Sequence, residues 1–121
     1  MKGSVVAVVD DDESMREALP DLLGTFGYVA KAFESAEEFL ASDIAETDCL
    51  VVDITMPGMS GPDLWRELKR RGYSIPIIFI TARKGDAVLE RLSGPDIVTC
   101  LFKPFSDTAL EEALDAAFRR R

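Results

Sequence analysis

Carboxylate side chains are concentrated at two places in the sequence. Asp10, Asp11, Asp12 and Glu13 directly follow the apolar run "SVVAVV", and Asp53 ends the run "DCLVVD". Like charges held close together raise one another's pKa unless a cation offsets them. Oxygen ligands of this kind suit Mg²⁺ or Mn²⁺. The acidic run therefore has two interpretations: ligands of a divalent cation, or the solvated first turn of a helix, where acidic residues favour the helix dipole.

Asp53 has the sequence surroundings of a nucleophile. In "VVDITMPGMSG" it ends an apolar run, and the Pro-Gly turn that follows should leave its carboxylate pointing into a crevice. A carboxylate beside a bound metal can form an aspartyl phosphate. Lys103 and Thr81 end two later apolar runs and would supply an ammonium and a hydroxyl for the phosphoryl oxygens. Singly, each is more typical of a surface lysine or a strand threonine, but the combination favours a phosphoryl site.

The spacing of apolar residues predicts the elements that carry these side chains. Segments with apolar residues every three to four positions separate runs of strand length, which predicts alternating strands and helices. The runs are apolar at successive positions, as expected of parallel strands covered by helices on both faces. The predicted fold is an α/β, doubly wound, five-stranded parallel sheet with helices on both faces. The predicted strands are 4–10, 28–33, 48–53, 75–81 and 96–102.

In such a sheet the carboxyl ends of the strands share one edge, where ligands bind. That edge should bring together Asp10, Asp11, Asp53, Thr81 and Lys103. Two features interrupt the pattern. Pro20 lies inside the first helical segment, which should therefore kink or begin late. The segment 84–95 ends in Gly-Pro and predicts only a short fourth helix.

Composition narrows the class of protein. A chain of 121 residues suits one domain over 1–121, with no sign of a second domain. The net charge of -8 disfavours contact with nucleic acid or anionic membranes, so a protein or metal partner fits better. Without a signal peptide or an apolar run of about 20 residues, we expect a soluble, cytoplasmic protein. Cys49 and Cys100 lie in apolar runs without metal-site spacing and are expected in the core.

Four motifs occur in the order and spacing of one known family. They are "VVDDD", "VVDITMPGMSGPDL", "FITAR" and "FKPF", and the likeness covers residues 4–118. On these motifs the chain closely resembles a receiver domain of a two-component response regulator. The resemblance implies a flavodoxin-like receiver fold with strand order 2-1-3-4-5. It also implies a phosphoprotein of a two-component phosphorelay.

The resemblance assigns roles to the acidic residues. Asp53 would accept a phosphoryl group from a phosphohistidine on a sensor histidine kinase or a phosphotransfer protein. Asp11 and Asp53 would ligate Mg²⁺, or alternatively Mn²⁺, together with the backbone carbonyl of Thr55. Asp10 would bind this ion mainly through a water molecule.

The remaining motif residues correspond to the switch of the family. Thr81 resembles the hydroxyl that moves toward the phosphoryl group, and Ala82 leaves room for that movement. Lys103 would pair with a phosphoryl oxygen, and the Lys103–Pro104 bond resembles the family's cis peptide.

The sequence departs from the family pattern at the switch. Cys100 stands where the family usually has Tyr or Phe, which puts the usual aromatic rotamer change in doubt. Arg83 and Thr55 flank the path of attacking water, and we expect them to alter the lifetime of the phosphorylated state.

The face formed by the fourth helix, the fifth strand and the fifth helix is the expected contact for a downstream protein or output domain. Core packing of the same side chains is the alternative interpretation, and homodimerisation on phosphorylation stays open. The residues concerned are Leu89, Leu92, Cys100 and Phe102.

The favoured function is a phosphorylation-gated signalling module. The chain contains no histidine, so the phosphoryl group must come from another molecule. As a chemical catalyst it should show at most slow self-phosphorylation from small donors and slow self-dephosphorylation. Two alternatives stay open. A haloacid-dehalogenase-type phosphatase would need "DxDxT", whereas the sequence after Asp53 is "ITMPG". A degenerate receiver would bind its partner constitutively, and Cys100 keeps that alternative open.

Overall fold

The computed structural model describes residues 3–82 and 94–119. Within these ranges, strands and helices alternate as the spacing of apolar residues predicts. The elements are β1 Val5–Val9, α1 Glu13–Thr25, β2 Val29–Phe33, α2 Ala36–Leu40, a 3₁₀ turn Ile44–Glu46, β3 Cys49–Asp53, α3 Gly61–Arg70, β4 Ile77–Thr81, β5 Ile97–Phe102 and α4 Asp107–Arg119.

The five strands form one parallel sheet in the order β2-β1-β3-β4-β5. Both the fold class and the strand order are therefore confirmed. The predicted strand bounds are correct to within two residues. β4 begins at Ile77, two residues later than predicted, because Pro76 has no N–H to donate to the sheet.

Two hydrophobic clusters cover the two faces of the sheet. β3 and β4 are buried at every position, which explains their unbroken apolar runs. On one face, α2 and α3 pack side chains such as Phe39 and Leu64 against the sheet. On the other, α1 and α4 contribute side chains such as Leu23 and Leu114. Because helices cover both faces of the sheet, a site can form at the ends of the strands.

Helix α1 runs through Pro20 without interruption, so the prediction that it begins late is wrong. The side chain of Asp12 accepts the N–H of Ser14 at 2.9 Å and starts the helix directly after β1. Proline inside a helix costs about 3 kcal/mol, whereas each buried leucine contributes about 1.5–3 kcal/mol. Leu19 and Leu23 flank the proline and are buried, so packing outweighs the lost hydrogen bond.

Cys49 is buried and Cys100 is half-buried. The predicted fourth helix, with Leu89 and Leu92, lies outside the described residues up to its final Gly-Pro pair, and so does Arg83. Among the helices of residues 3–82 and 94–119, none has the length and apolar character required to cross a membrane.

Candidate functional site

The carboxyl ends of the inner strands bring three acids together. Asp10 follows β1, and Asp53 is the last residue of the neighbouring strand β3. Asp11 extends from the turn between β1 and α1. One carboxylate oxygen from each of these three residues lies within 4.8 Å of the other two. The predicted convergence at this edge of the sheet is thus present in the structure.

Asp10 is the innermost of the three acids and is fully buried. Its Oδ1 accepts the backbone N–H of Asp12 at 2.9 Å, and its Oδ2 accepts from Nζ of Lys103 at 3.1 Å. Because a buried carboxylate needs both hydrogen bonds and a countercharge, these contacts fix Asp10 in place.

Asp53 is 8% exposed at the rim of the sheet. Its Oδ1 accepts the N–H of Thr55 at 3.1 Å, and its Oδ2 accepts from Lys103 at 3.3 Å. Burial, and then the charge of Asp10, raise the pKa of Asp53 above its ordinary value, against the opposing effects of Lys103 and Thr55. A cation bound beside this carboxylate would favour its ionised form.

Lys103 donates to both buried acids from the start of the loop after β5. Burial works to lower the pKa of its ammonium, but hydrogen bonds and charge interactions with Asp10 and Asp53 outweigh burial, so the pKa is raised. Lys103 therefore carries a full positive charge at neutral pH. Its backbone N–H donates to the carbonyl of Thr81 at 2.8 Å, and the Lys103–Pro104 peptide bond is cis.

The other predicted residues lie around this centre. Thr81 ends β4 and is 1% exposed, next to an exposed Ala82. Thr55 is exposed and bonds Asp53 through its backbone N–H. Cys100 is half-buried on β5, where it pairs with Phe79 of β4, so it lies further from the carboxyl end than the pair Thr81 and Phe102.

The acidic run after β1 is divided between two uses. Asp10 and Asp11 belong to the acid cluster, whereas Asp12 caps α1 and Glu13 lies in its first turn. The helix-start interpretation is therefore confirmed for Asp12 and Glu13, whereas Asp10 and Asp11 form a cluster that could hold a cation. Arg16 is a further residue of the site, which the sequence did not predict: its Nη1 donates to the backbone oxygen of Asp10 at 3.0 Å.

Contacts that were not predicted from the sequence also hold the loop after Asp53. A Cβ on Gly61 would lie 2.6 Å from the backbone oxygen of Asp53, so only glycine permits this approach. Ser60 and Asp63 form a capping box that starts α3, and the S-x-x-D spacing is a signal that could have identified it. The carboxylate of Glu37 accepts the N–H of Met59 at 3.2 Å.

The acid cluster has the donor set that Mg²⁺ or Mn²⁺ prefers. All three side chains offer only oxygen ligands, and Asp11 is exposed. Within the described part of the chain, no hydrogen bond or ion pair to the Asp11 carboxylate is found. Its oxygens are therefore available to a cation, while Lys103 offsets part of the charge of the other two acids.

An apolar groove of about 390 Å³ runs beside this site. It lies between α1 and the segment that follows β5. Met15, Leu19 and Leu22 line one side, and Lys103, Pro104 and Phe105 line the other. The groove therefore shares Lys103 with the acid cluster.

Comparison with known proteins gives a consistent result. Residues 6–115 match the family model of the response regulator receiver domain. Nodulation protein W of Bradyrhizobium diazoefficiens is 42% identical over 118 residues, which cover 97% of this chain and 52% of that protein. The transcriptional regulatory protein FixJ of Azorhizobium caulinodans is 37% identical over 120 residues, which cover 95% of this chain and 55% of that protein.

Solved structures agree with the sequence matches. The crystal structure of FixJ-N superposes with a TM-score of 0.87 at 35% identity, over 98% of this chain and 96% of that chain. The response regulator StyR gives a TM-score of 0.85 at 37% identity, over 95% of this chain and 59% of that chain. The chain spans about half the length of the curated relatives it matches.

Proposed function

The chain belongs to the response regulator receiver domain family, and from that membership we propose that it is a phosphorylation-dependent signalling module with Asp53 as its phosphoacceptor. One observation carries the assignment. The Asp53 carboxylate lies at the sheet edge with its oxygens among those of Asp10 and Asp11 and with Lys103 at 3.3 Å. A nucleophile, a cation-binding acid pair and a fixed ammonium are the parts that phosphoryl transfer to a carboxylate requires.

The acid cluster fits a divalent cation, which we propose to be Mg²⁺, with Mn²⁺ as an alternative. Asp11 and Asp53 would hold the ion directly with the backbone carbonyl of Thr55, and Asp10 would act through water. When bound, such an ion neutralises phosphoryl oxygens and lowers the repulsion that an incoming phosphoryl group meets.

The residues of the chain carry out the rest of the transfer. A carboxylate oxygen of Asp53 forms a bond to phosphorus while the P–N bond of the phosphohistidine donor breaks, and the donor nitrogen keeps the electron pair. The ammonium of Lys103 moves from the carboxylate to a phosphoryl oxygen and offsets the new charge. The hydroxyl of Thr81 moves toward the phosphoryl group and donates a hydrogen bond to another of its oxygens. The small side chain of Ala82 leaves space for that movement.

The phosphoryl group then acts as a local charge that favours one of two arrangements of the surface. The loop 54–60 and the segment after Thr81 are the parts that respond. A modification of this kind commonly supplies about 1–3 kcal/mol of coupling. Thr55 and Arg83 would set how long the state lasts before hydrolysis. Slow self-phosphorylation from small donors and slow self-dephosphorylation complete the expected chemistry.

We propose a sensor histidine kinase or a phosphotransfer protein as the donor. The apolar groove beside Lys103 supports this choice, because a helix seated between Met15 and Phe105 would carry its phosphohistidine next to Asp53.

The downstream partner would bind the face that includes β5, whose six residues are all half-buried. Two relatives are named as transcriptional regulatory proteins, and this chain covers about half of each. We propose that the chain controls an output domain or a separate downstream protein, and that it does so in the cytoplasm.

Intact-protein mass spectrometry tests the proposal. With Mg²⁺ and phosphoramidate or acetyl phosphate, the chain should gain the mass of one phosphoryl group, and Asp53→Asn should gain none. Asp21→Asn is the matched control, because Asp21 is exposed on α1, away from the acid cluster, and should leave the adduct intact. A chain that gains no phosphoryl mass under these conditions would contradict the proposal and favour the degenerate receiver. Repeated turnover of p-nitrophenyl phosphate would instead favour the phosphatase.

A further inference from the structure

Arg16 reaches from the first turns of α1 back to the end of β1. Its half-buried guanidinium donates through Nη1 to the backbone oxygen of Asp10 at 3.0 Å. A guanidinium is a strong, always charged donor, so this contact fixes the peptide group that joins Asp10 to Asp11.

The peptide group on the other side of Asp11 is fixed as well. The N–H of Asp12 donates to Oδ1 of Asp10 at 2.9 Å. The two peptide groups that flank Asp11 are therefore both hydrogen-bonded, one through its oxygen and one through its N–H. The Asp11 side chain itself is exposed. Its position depends on these backbone contacts.

We infer that Arg16 is a positioning residue for the cation site: it holds the turn from which the Asp11 carboxylate extends. The inference rests on the cation site of the proposed function and adds a residue that does not itself ligate the ion. An exposed ligand on a loose turn loses conformational freedom when it binds, and this weakens affinity. A turn that is already fixed removes that loss.

Charge and positioning predict opposite effects of removing Arg16. Arg16 is a cation near a site for a divalent cation, and like charges repel. If charge alone mattered, a neutral side chain would tighten Mg²⁺ binding. If Arg16 acts by holding the turn, the same change weakens Mg²⁺ binding. The sign of the effect therefore decides between the two.

Isothermal titration of the whole chain with Mg²⁺ measures this sign. We expect Arg16→Met to bind Mg²⁺ about tenfold more weakly, the lower end of the range for groups that position metal ligands. Arg16→Lys keeps a charged donor and should recover part of the loss. Arg66→Met is the matched control, because Arg66 is exposed on α3 and pairs with Asp63. Its Mg²⁺ affinity should equal that of the wild type.

Urea unfolding of each variant shows whether it is folded. If Arg16→Met does not fold, Arg16→Ala gives the same test, because alanine is also neutral and has no side-chain donor for the Asp10 oxygen. Wild-type affinity or tighter binding in the folded neutral variant would overturn the inference and leave the proposed function intact. Absence of Mg²⁺ binding by the wild type would instead contradict the cation site itself, and with it the inference.

Discussion

Nζ of Lys103 lies 3.3 Å from Oδ2 of Asp53, and the same nitrogen lies 3.1 Å from Oδ2 of Asp10. One ammonium thus offsets part of the charge of two acids that lie at the ends of different strands. Burial of Asp10 is complete, so this pairing is a condition of the fold as well as a part of the site. Phosphorylation of Asp53 would place a phosphoryl group, which carries more negative charge than a carboxylate, near Lys103. The ammonium would then move from its present position toward a phosphoryl oxygen.

Replacement of Lys103 by methionine should destabilise the fold. It should also increase the stabilisation that a bound divalent cation provides. Two acids at the sheet edge would lose their countercharge, at a cost of about 1–3 kcal/mol in the free energy of unfolding. Lys103 also works to lower the pKa of Asp53, so that pKa should rise further. Urea unfolding, with and without saturating Mg²⁺, measures the cost, and Mg²⁺ should restore more stability to the variant than to the wild type.

Lys31→Met is the control for that experiment. Lys31 pairs with Glu46 at 2.9 Å, and the two side chains are 45% and 53% exposed, so its loss should cost less stability than the loss of Lys103. Equal effects of the two lysine variants would show that the Lys103 pairing contributes no more than a surface ion pair.

Asp53→Asn should stabilise the fold at neutral pH. The pKa of Asp53 is raised above its ordinary value of 3.8, first by burial and then by Asp10. The folded state therefore binds the proton more tightly than the unfolded state, and stability falls as pH rises from about 3.8 through the raised pKa. Above that window the ionised carboxylate lowers the free energy of unfolding, and asparagine removes this cost.

The gain of Asp53→Asn should shrink as pH falls toward 4, because the wild-type carboxyl then takes up its proton. Thermal unfolding between pH 4 and pH 8 measures the difference between variant and wild type. Asp21→Asn, at an exposed position of α1, serves as control and should show no such dependence. A gain that is constant with pH, or a loss at pH 7, would contradict the prediction.

The sequence predicts the centre of the site because strand ends are encoded locally. Apolar runs that end in Asp53 or Thr81 place those side chains at one edge once the sheet is known to be parallel. The contacts of Arg16 and Glu37 could not be predicted in this way. Each depends on where a long side chain crosses a turn, and Glu37 meets a loop 22 residues away in the chain.

The sequence left open whether α1 would begin late or continue through Pro20 with a kink, for a different reason. The free-energy cost of a proline inside a helix is known from the sequence alone. The burial of Leu19 and Leu23, which offsets it, is a property of the assembled core. Local signals thus gave the elements and the acidic centre, whereas the balance between packing and strain required the structure.

Mg²⁺ should raise the free energy of unfolding of the chain, with the Asp11 carboxylate as one of its ligands. A ligand that binds only the folded state adds about 2.7 kcal/mol at 100 times its dissociation constant. Asp11→Asn should lose most of that increment, because it removes one of the three clustered carboxylates. Asp12→Asn is the matched control: the residue is adjacent but caps α1, and asparagine caps equally well. Thermal unfolding with Mg²⁺ titration distinguishes the variants, and equal responses would place the cation elsewhere.

Gly61→Ala should disturb the loop that follows Asp53, the proposed phosphoacceptor. The added Cβ would meet the backbone oxygen of Asp53 at 2.6 Å and the Cα of Ile54 at 3.1 Å. Backbone atoms cannot move aside without shifting Asp53 itself, so we expect a loss of about 1–3 kcal/mol in the free energy of unfolding. The rate of phosphorylation by phosphoramidate should also fall.

Gly24→Ala in α1 is the control. Its added Cβ meets nothing within 4 Å and should stabilise the helix by roughly 0.5–1 kcal/mol. If the two alanine variants unfold at the same urea concentration, the close approach at Gly61 does not constrain Asp53.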